Sequence, residues 1–381
     1  MDDKKLIEKI KKLKQEDIDV TPYESEIRVR FNKLMEKEKI RKTNLKRLAI
    51  VFASITLVFM ITLHFIIGES FVLEFKEGKE IIPEEKAFSL SIESVPDVGS
   101  PLTYDKELNV IWFVENKNGR SIVCYYDLAK KTVNALLPYS NNPSGTDGDI
   151  KIFGKNVYVG LGDCFEIVNR FSKELSIVEL GDERFPIRKE ALFPIKNILP
   201  VTDDLILISR VYSSSISIFN PYSLKINEWQ LPMRILSPDK MIKGNDKIFF
   251  ASEDINKGNS VIGEISLSEK TIKVYRNINA SQIAFSQFLF AVSNNDLYKI
   301  DPEMRVYQKI KLKMIGASCL MADNKFIYIV SLSNGEIFVN KYDSQNNMVY
   351  TFSQKLKEIG ETVILKEGED IVLVLDISAF Y

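Results

Sequence analysis

Between residues 87 and 381 the chain repeats one cycle seven times: an apolar strand, a polar turn, a denser apolar strand, and two more strands parted by another polar turn. The dense strands begin at Val110, Val157, Leu205, Ile248, Phe288, Ile327 and Ile371, so successive cycles start 47, 48, 43, 40, 39 and 44 residues apart. Just before them stand Asp105-Lys106, Gly154-Lys155, Asp203-Asp204, Asn245-Asp246, Ser286-Gln287, Asp323-Asn324 and Gly368-Glu369, residue types that suit tight hairpins. A second punctuation follows in most cycles, at Asp127, Asn220-Pro221, Ser268-Glu269, Asp301-Pro302 and Asp343-Ser344. A continuous apolar strand fits a position buried on both faces, and an alternating one fits a half-exposed rim. A unit of this size cannot bury its apolar faces alone, so the units must stack on one another.

Periods near 40 to 50 residues with four strands each are those of propeller blades, so the sequence predicts an all-β, seven-bladed β-propeller. The last unit reaches Tyr381 with too few strands, and Phe88, Leu90 and Ile92 alternate with polar residues, which predicts closure of the last blade by this N-terminal strand. Phe71, Leu73 and Phe75 are expected to add another strand there. Residues 70–381 thus resemble the seven-bladed β-propeller repeat proteins in period and hairpin pattern. They lack the Gly-His and Trp-Asp pairs of WD repeats and the double glycines of kelch blades. The resemblance implies a fold and leaves activity open, because propellers host unrelated functions.

Ahead of the repeats lies an uncharged run of twenty residues that begins at Leu48 and ends at Ile67. Twenty helical residues span roughly 30 Å, the thickness of a bilayer's hydrocarbon core, so a transmembrane helix is predicted over 48–67. Residues 1–47 hold 15 Lys/Arg against 10 Asp/Glu, leaving 36 against 42 for the rest. Because Lys and Arg stay on the cytoplasmic side, the amino terminus is predicted inside and the propeller outside. The alternative is a signal peptide cleaved near Gly68-Glu69-Ser70, but its usual short leader and apolar core of about 7 to 15 residues do not match. His64, the single histidine, is read as an interfacial side chain, and Ala49 and Ala53 as a weak helix-contact pair.

In the head, Leu6, Ile10 and Leu13 fall at helical spacing among lysines, and Thr21-Pro22-Tyr23-Glu24 has the form of a capping box. A second helix is predicted from there, with Tyr23, Ile27, Phe31, Leu34 and Met35 as its apolar stripe, running toward the membrane. Forty-seven residues are too few for a self-sufficient core, so these stripes are expected on the inner leaflet's lipid or in a cytoplasmic partner's groove. Nucleic-acid binding is not expected, since ten acids interrupt the basic residues. The layout of residues 17–67 is similar to that of bacterial single-pass anti-sigma factors, which implies a cytoplasmic partner. With no His or Cys in the head, the zinc-bearing form of that domain does not apply.

A single histidine placed in the membrane leaves no Ser-His-Asp, Cys-His or histidine-metal site outside it. Cys124, Cys164 and Cys319 lie in different blades without CxxC spacing; one disulfide is compatible with an oxidising side, but buried free thiols are expected. Asp203-Asp204 reads as a turn and Glu190 as a loop charge. Asp147-Gly148-Asp149, after Asn141 and Asn142, offers oxygen ligands to calcium but lacks full loop spacing and reads better as an interblade turn. Trp229 and Tyr222 are expected to pack on the rim, and Asn279-Ala280-Ser281 is a glycosylation acceptor only in a secretory context. No catalytic, cofactor-binding or metal site is expected. The reading is a non-enzymatic, single-pass bacterial membrane protein of an AT-rich genome, with domains at 1–47 (cytoplasmic helices), 48–67 (membrane), 68–86 (linker) and 87–381 (extracytoplasmic propeller). The propeller is expected to bind a protein or envelope component. The alternative is a carboxylate-dependent hydrolase or lyase, for which two convergent carboxylates about 5 to 10 Å apart in the central funnel are the mark.

Overall fold

The computed structural model describes residues 69–77, 84–85 and 90–377 except 118–119, 137–147, 163, 180–193, 233–234, 256–257, 281, 294, 313–318, 324, 344–348 and 357–361, together with Val29, Asn32, Lys33, Glu36 and Lys37. The chain divides into two units, Met1–Phe65 and Ile66–Tyr381. In the first unit the five described residues are helical and exposed. The membrane segment from Leu48 to Ile67, His64 and the apolar stripes of both expected head helices lie outside the described residues. Among the described residues no helix is long and apolar enough to cross a membrane.

The second unit is an all-β, seven-bladed β-propeller. Blade 1 is a meander of Leu102–Asp105, Val110–Lys117, Arg120–Asp127 and Thr132–Ala135. Blade 2 follows with Gly148–Phe153, Asn156–Leu161, Cys164–Asn169 and Leu175–Glu179, and blade 3 with Ile195–Thr202, Leu205–Arg210, Ser215–Asn220 and Lys225–Gln230. Blade 4 comprises Lys240–Lys243, Lys247–Asp254, Asn259–Ser266 and Thr271–Tyr275; blade 5 comprises Gln282–Phe285, Leu289–Ser293, Asp296–Asp301 and Val306–Lys311. Blade 6 is Cys319–Ala322, Phe326–Ser333, Glu336–Asp343 and Val349–Lys355. In these six sheets the dense strand of each cycle is the second strand, where both faces are covered: Ile111, Trp112, Phe113, Val157, Tyr158, Ile206, Leu207 and Phe250 are all inaccessible to solvent.

Blade 7 departs from the pattern. Its sheet has three strands, with Thr362–Glu367 in the middle, Asp370–Asp376 on one edge and the N-terminal Leu90–Val95 on the other. Residues 371–374, expected as a central dense strand, therefore sit on an edge, because the N-terminal strand pairs with Thr362–Glu367 instead. The expected closure by Leu90 and Ile92 holds, with Ile92 opposite Leu365 and Leu90 opposite Glu367.

The core is a ring of interblade clusters, one for each of the interfaces. Trp112 and Val114 of blade 1 meet Ile150 and Val159 of blade 2, and so on around to Ile364 and Val374 of blade 7, which meet Ile111 and Phe113 of blade 1. Apolar side chains alternate between the two faces of each sheet, so every blade contributes to two clusters.

The stretch expected as a linker is not bare. Glu69–Phe71 adds a parallel fifth strand to Thr271–Tyr275 of blade 4, Glu74–Phe75 adds one to Val306–Lys311 of blade 5, and Glu84–Glu85 adds one to Val349–Lys355 of blade 6. Phe71, Leu73 and Phe75 thus belong to blades 4 and 5, and their expected place on the last blade is corrected. The alternation read as one strand is two short ones, and Leu73 between them drops into the seam, 1% exposed, against Tyr275, Ile278 and Ile283. The Asn277 side chain fixes the crossing from both sides, its Oδ1 accepting from Leu73 N (2.9 Å) and its Nδ2 donating to Leu73 O (2.5 Å). We call residues 69–77 the strap.

Candidate functional site

Successive first strands of the blades lie side by side around the central axis, and there the polar side chains hold blade to blade. Asp149 of blade 2 accepts from Lys151 Nζ (2.5 Å), Asn197 Nδ2 (2.6 Å) and Ile198 N (3.0 Å), the last two in blade 3. Asn197 Oδ1 in turn accepts Met241 N of blade 4 at 3.0 Å, and Lys243 Nζ donates back to Val201 O at 2.9 Å. Lys240 Nζ reaches Gln282 Oε1 of blade 5 (3.2 Å) and Leu320 O of blade 6 (3.3 Å). Burial holds the Lys240 ammonium below the usual lysine range, and it pushes the nearby Cys319 thiol up. Asp239 pairs with Lys196. Both carboxylates are therefore engaged with lysines, and Asp149 also with amides, in an arrangement that staples strands together. Asp149, read as an interblade turn or calcium ligand, is a staple; Asp147, Asn141, Asn142 and Glu190 lie outside the described residues.

The other organised surface is the blade end where the first–second and third–fourth hairpins emerge. The third–fourth hairpins share one construction. A side-chain oxygen at the first position accepts the amides two and three residues on: Asp127 from Ala129 and Lys130 (3.1 and 3.0 Å), Asn169 from Phe171 and Ser172 (3.0 and 3.1 Å), Asn220 from Tyr222 and Ser223 (3.0 and 2.8 Å), and Asp301 from Glu303 and Met304 (3.1 and 3.2 Å). In blade 4 Ser266 Oγ takes the same place, accepting from Glu269 N at 3.2 Å. The fifth position is left-handed every time, with φ +56° at Lys131, +65° at Lys173, +53° at Leu224, +55° at Lys270 and +56° at Arg305. Such Asx turns fix the loop in one conformation. The sequence located four of the five, missed Asn169, and placed the blade 4 turn at Ser268 instead of Ser266.

These rigid tips carry apolar side chains into solvent. Phe171 is 51% exposed, Tyr222 69% and Met304 66%. Tyr222 was expected to pack on the rim; it lies in the turn ahead of the last strand and is largely exposed, whereas Trp229 packs against the cluster between blades 3 and 4 as expected. Two hollows of about 130 and 270 Å³ flank Phe288, the larger lined also by Met304, Lys299, Tyr307 and the strap's Lys76.

The same hairpins clamp neighbouring blades. Arg170 of blade 2 sits on the fully buried Asp105 carboxylate of blade 1 at 2.8 Å and on Glu107. Lys173 Nζ lies 4.3 Å from the Trp112 ring centre and 4.4 Å from that of Tyr125, and its burial lowers its pKa. Lys247 of blade 4 bonds Glu303 of blade 5 at 3.2 Å, and Lys341 of blade 6 grips Glu367 of blade 7 at 2.6 and 2.8 Å. The three cysteines are free, with Cys124 and Cys164 buried. Burial and Glu115 push the Cys124 thiol up to about 12. Asp203-Asp204 forms the expected hairpin turn, where Thr202 Oγ1 donates to Asp204. Among the described residues no group of three His, Cys, Asp or Glu is placed to hold a metal.

No protein-family model matches the chain, and no curated relative matches it. Among solved structures it is similar to the Dos1 propeller, at 13% identity and a TM-score of 0.50, covering 77% of this chain and 84% of that one. It is similar also to a protein from Lactobacillus plantarum, at 12% identity and TM-score 0.52 over 71% and 88%, and to YCF48 bound to D1 peptide, at 8% and 0.51 over 71% and 86%. At these identities the likenesses show that the chain shares the β-propeller fold.

Proposed function

We propose that this protein is a membrane-anchored binding scaffold, whose propeller engages a protein or envelope component through the blade end that carries Phe171, Tyr222 and Met304. The observation that carries this reading is the repeated Asx turn, which holds exposed apolar side chains on rigid tips of one face. Preorganised apolar anchors are what protein recognition uses, since little conformational entropy is lost when they dock. A propeller with a bound peptide stands among its structural neighbours, in keeping with a polypeptide ligand.

In this proposal the anchor runs from Leu48 to Ile67 in a bacterial cell membrane, with residues 1–47 in the cytoplasm and the propeller outside. The basic head lies on inner-leaflet lipid or holds a cytoplasmic protein, and through that contact passes ligand occupancy inward in the manner of an anti-sigma factor. Two measurements test this. Cysteines introduced at Lys37 and at Asp370 should react oppositely with a membrane-impermeant maleimide in whole cells, Asp370→Cys labelled and Lys37→Cys protected. Cross-linking in native membranes should capture a protein that the combined Phe171→Ser, Tyr222→Ser and Met304→Ser variant no longer captures while its melting temperature is unchanged. Equal capture by both forms would remove the turn face from the reading.

A further inference from the structure

The rim of the propeller is treated unequally around the ring. Blades 4, 5 and 6 have their outer strands covered by a fifth, parallel strand from the chain itself, and blades 1, 2 and 3 are four-stranded among the described residues. An uncovered outer strand presents unpaired amides and carbonyls, and proteins ordinarily defend such edges with charges, prolines or bulges. Blade 3 is so defended, with Lys225 and Glu228 exposed on Lys225–Gln230. Blades 1 and 2 are not. Thr132–Ala135 has no charged residue, Leu175–Glu179 has only its terminal glutamate, and Val133 and Ile177 point out of them, 40% and 36% exposed.

The strap shows what such a rim accepts. It lies parallel to the outer strands of two adjacent blades, with Arg276 N donating to Phe71 O at 3.2 Å, Glu74 N to Arg305 O at 2.8 Å and Lys76 N to Tyr307 O at 3.0 Å. Its Phe71 ring lies 4.0 Å below the guanidinium of Arg305, the left-handed residue of the blade 5 turn, and its Ser70 accepts from Arg276 at 3.0 Å. On blades 1 and 2 the residues in Arg305's turn position are Lys131, exposed beside the largely exposed Lys130, and Lys173, which lies over Trp112 and Tyr125. The receiving chemistry is thus repeated: a basic left-handed turn residue followed by an outer strand with apolar side chains facing out.

We infer that the outer edges of blades 1 and 2 form a second strand-accepting surface, occupied by an extended, mainly apolar partner segment with interspersed acids, like the strap's own Glu-Ser-Phe-Val-Leu-Glu-Phe. This is recognition by strand addition, in which the backbone ladder supplies affinity and outward side chains supply selectivity. The occupant is a different polypeptide, because each copy's strap is already committed to its own blades 4 and 5. The inference rests on the binding role proposed above and moves it to a different surface.

The test uses the full-length chain in detergent micelles and a fluorescein-labelled peptide of residues 69–77. Polarisation should show saturable binding, and the Val133→Lys, Ile177→Lys double variant should weaken it about tenfold or more with its thermal unfolding unchanged. The Phe171, Tyr222 and Met304 turn-face variant should bind the peptide normally, so failure of the turn-face reading and failure of this one are separately visible. Equal binding to the edge-charged variant, or no binding at millimolar peptide, overturns the inference. Binding that rises in Asn277→Ala and ignores the edge charges places the peptide on blades 4 and 5, and overturns it too. So does a concentration-dependent dimer abolished by the same edge charges, which makes a second copy the occupant.

Discussion

The seam between blades 1 and 2 and the seam between blades 4 and 5 solve one problem with different chemistry. At the first, cohesion beyond the apolar cluster comes from charge, with Arg170 on the buried Asp105 and Lys173 over Trp112. At the second it comes from the strap, with Leu73 filling the groove and Asn277 bonding both the N–H and the C=O of that residue. The ion pair is local to two hairpins that fold beside each other, while the strap enforces adjacency from 204 residues away in sequence. A charge pair demands that both partners be present, because a lone buried carboxylate is worse than none. An apolar plug degrades gradually as methylenes are removed.

That contrast can be broken by substitution. The largest effect is expected for Arg170→Met, which leaves the buried Asp105 carboxylate without its cation, held only by Glu107 N, Leu108 N and Trp112 Nε1, and should cost about 3–5 kcal/mol in urea unfolding; adding Asp105→Asn, which removes the charge and keeps an acceptor for those donors, should recover part of it. Next, Leu73→Ala should cost about 2–4 kcal/mol, the range of a buried leucine deletion. Asn277→Ala should lose about 1–3 kcal/mol by leaving the Leu73 N–H and C=O without their side-chain partner. Hydrogen exchange sharpens the comparison without mutation: amides of Thr271–Tyr275 and Val306–Lys311 under the strap should exchange more slowly than those of Thr132–Ala135.

The smallest effect is confined to alkaline pH. Cys124 ionises at about 12 in the folded chain against 9.0 for the reference thiol. Between those values the unfolded chain loses the proton and the folded chain keeps it, so this group's contribution is constant below pH 9 and stability falls as pH rises above it. Cys124→Val should flatten the decline by at most about 1.4 kcal/mol per pH unit, read as unfolding midpoints from pH 8 to 10.

The blades were legible in the sequence because their signal is redundant: a dense apolar strand and a turn residue recur in each cycle, so an error in one is corrected by the next. The seventh cycle shows the limit. Residues 371–374 have the right composition for a central strand, but a strand's place in a sheet depends on its partners: they pair only with Thr362–Glu367, whose other side is taken by Leu90–Val95, far away in sequence. The strap was hidden for a similar reason. Its strands are three and two residues long, too short for periodicity, and its acids make it look like a solvated linker. Phe71, Leu73 and Phe75 carried the only signal, and the sequence does not say that the chain changes blades at Leu73. Nor did Asp149 announce itself: Asp-Gly-Asp resembles a metal loop, and only the approach of Asn197 and Ile198 from the next blade gives it another task.

The strap has a consequence for the order of events during synthesis. It is made before any blade, yet its acceptors, Thr271–Tyr275 and Val306–Lys311, appear some 200 residues later. At the usual pace of a ribosome, about 5 to 20 residues per second, the apolar strap waits tens of seconds with nothing to pair with. Blades 1 to 3 can assemble one after another in that interval, each on its predecessor, but the ring and its belt close only near the end. The early blades therefore fold on local contacts alone, and the strap that precedes them is among the last to find its place.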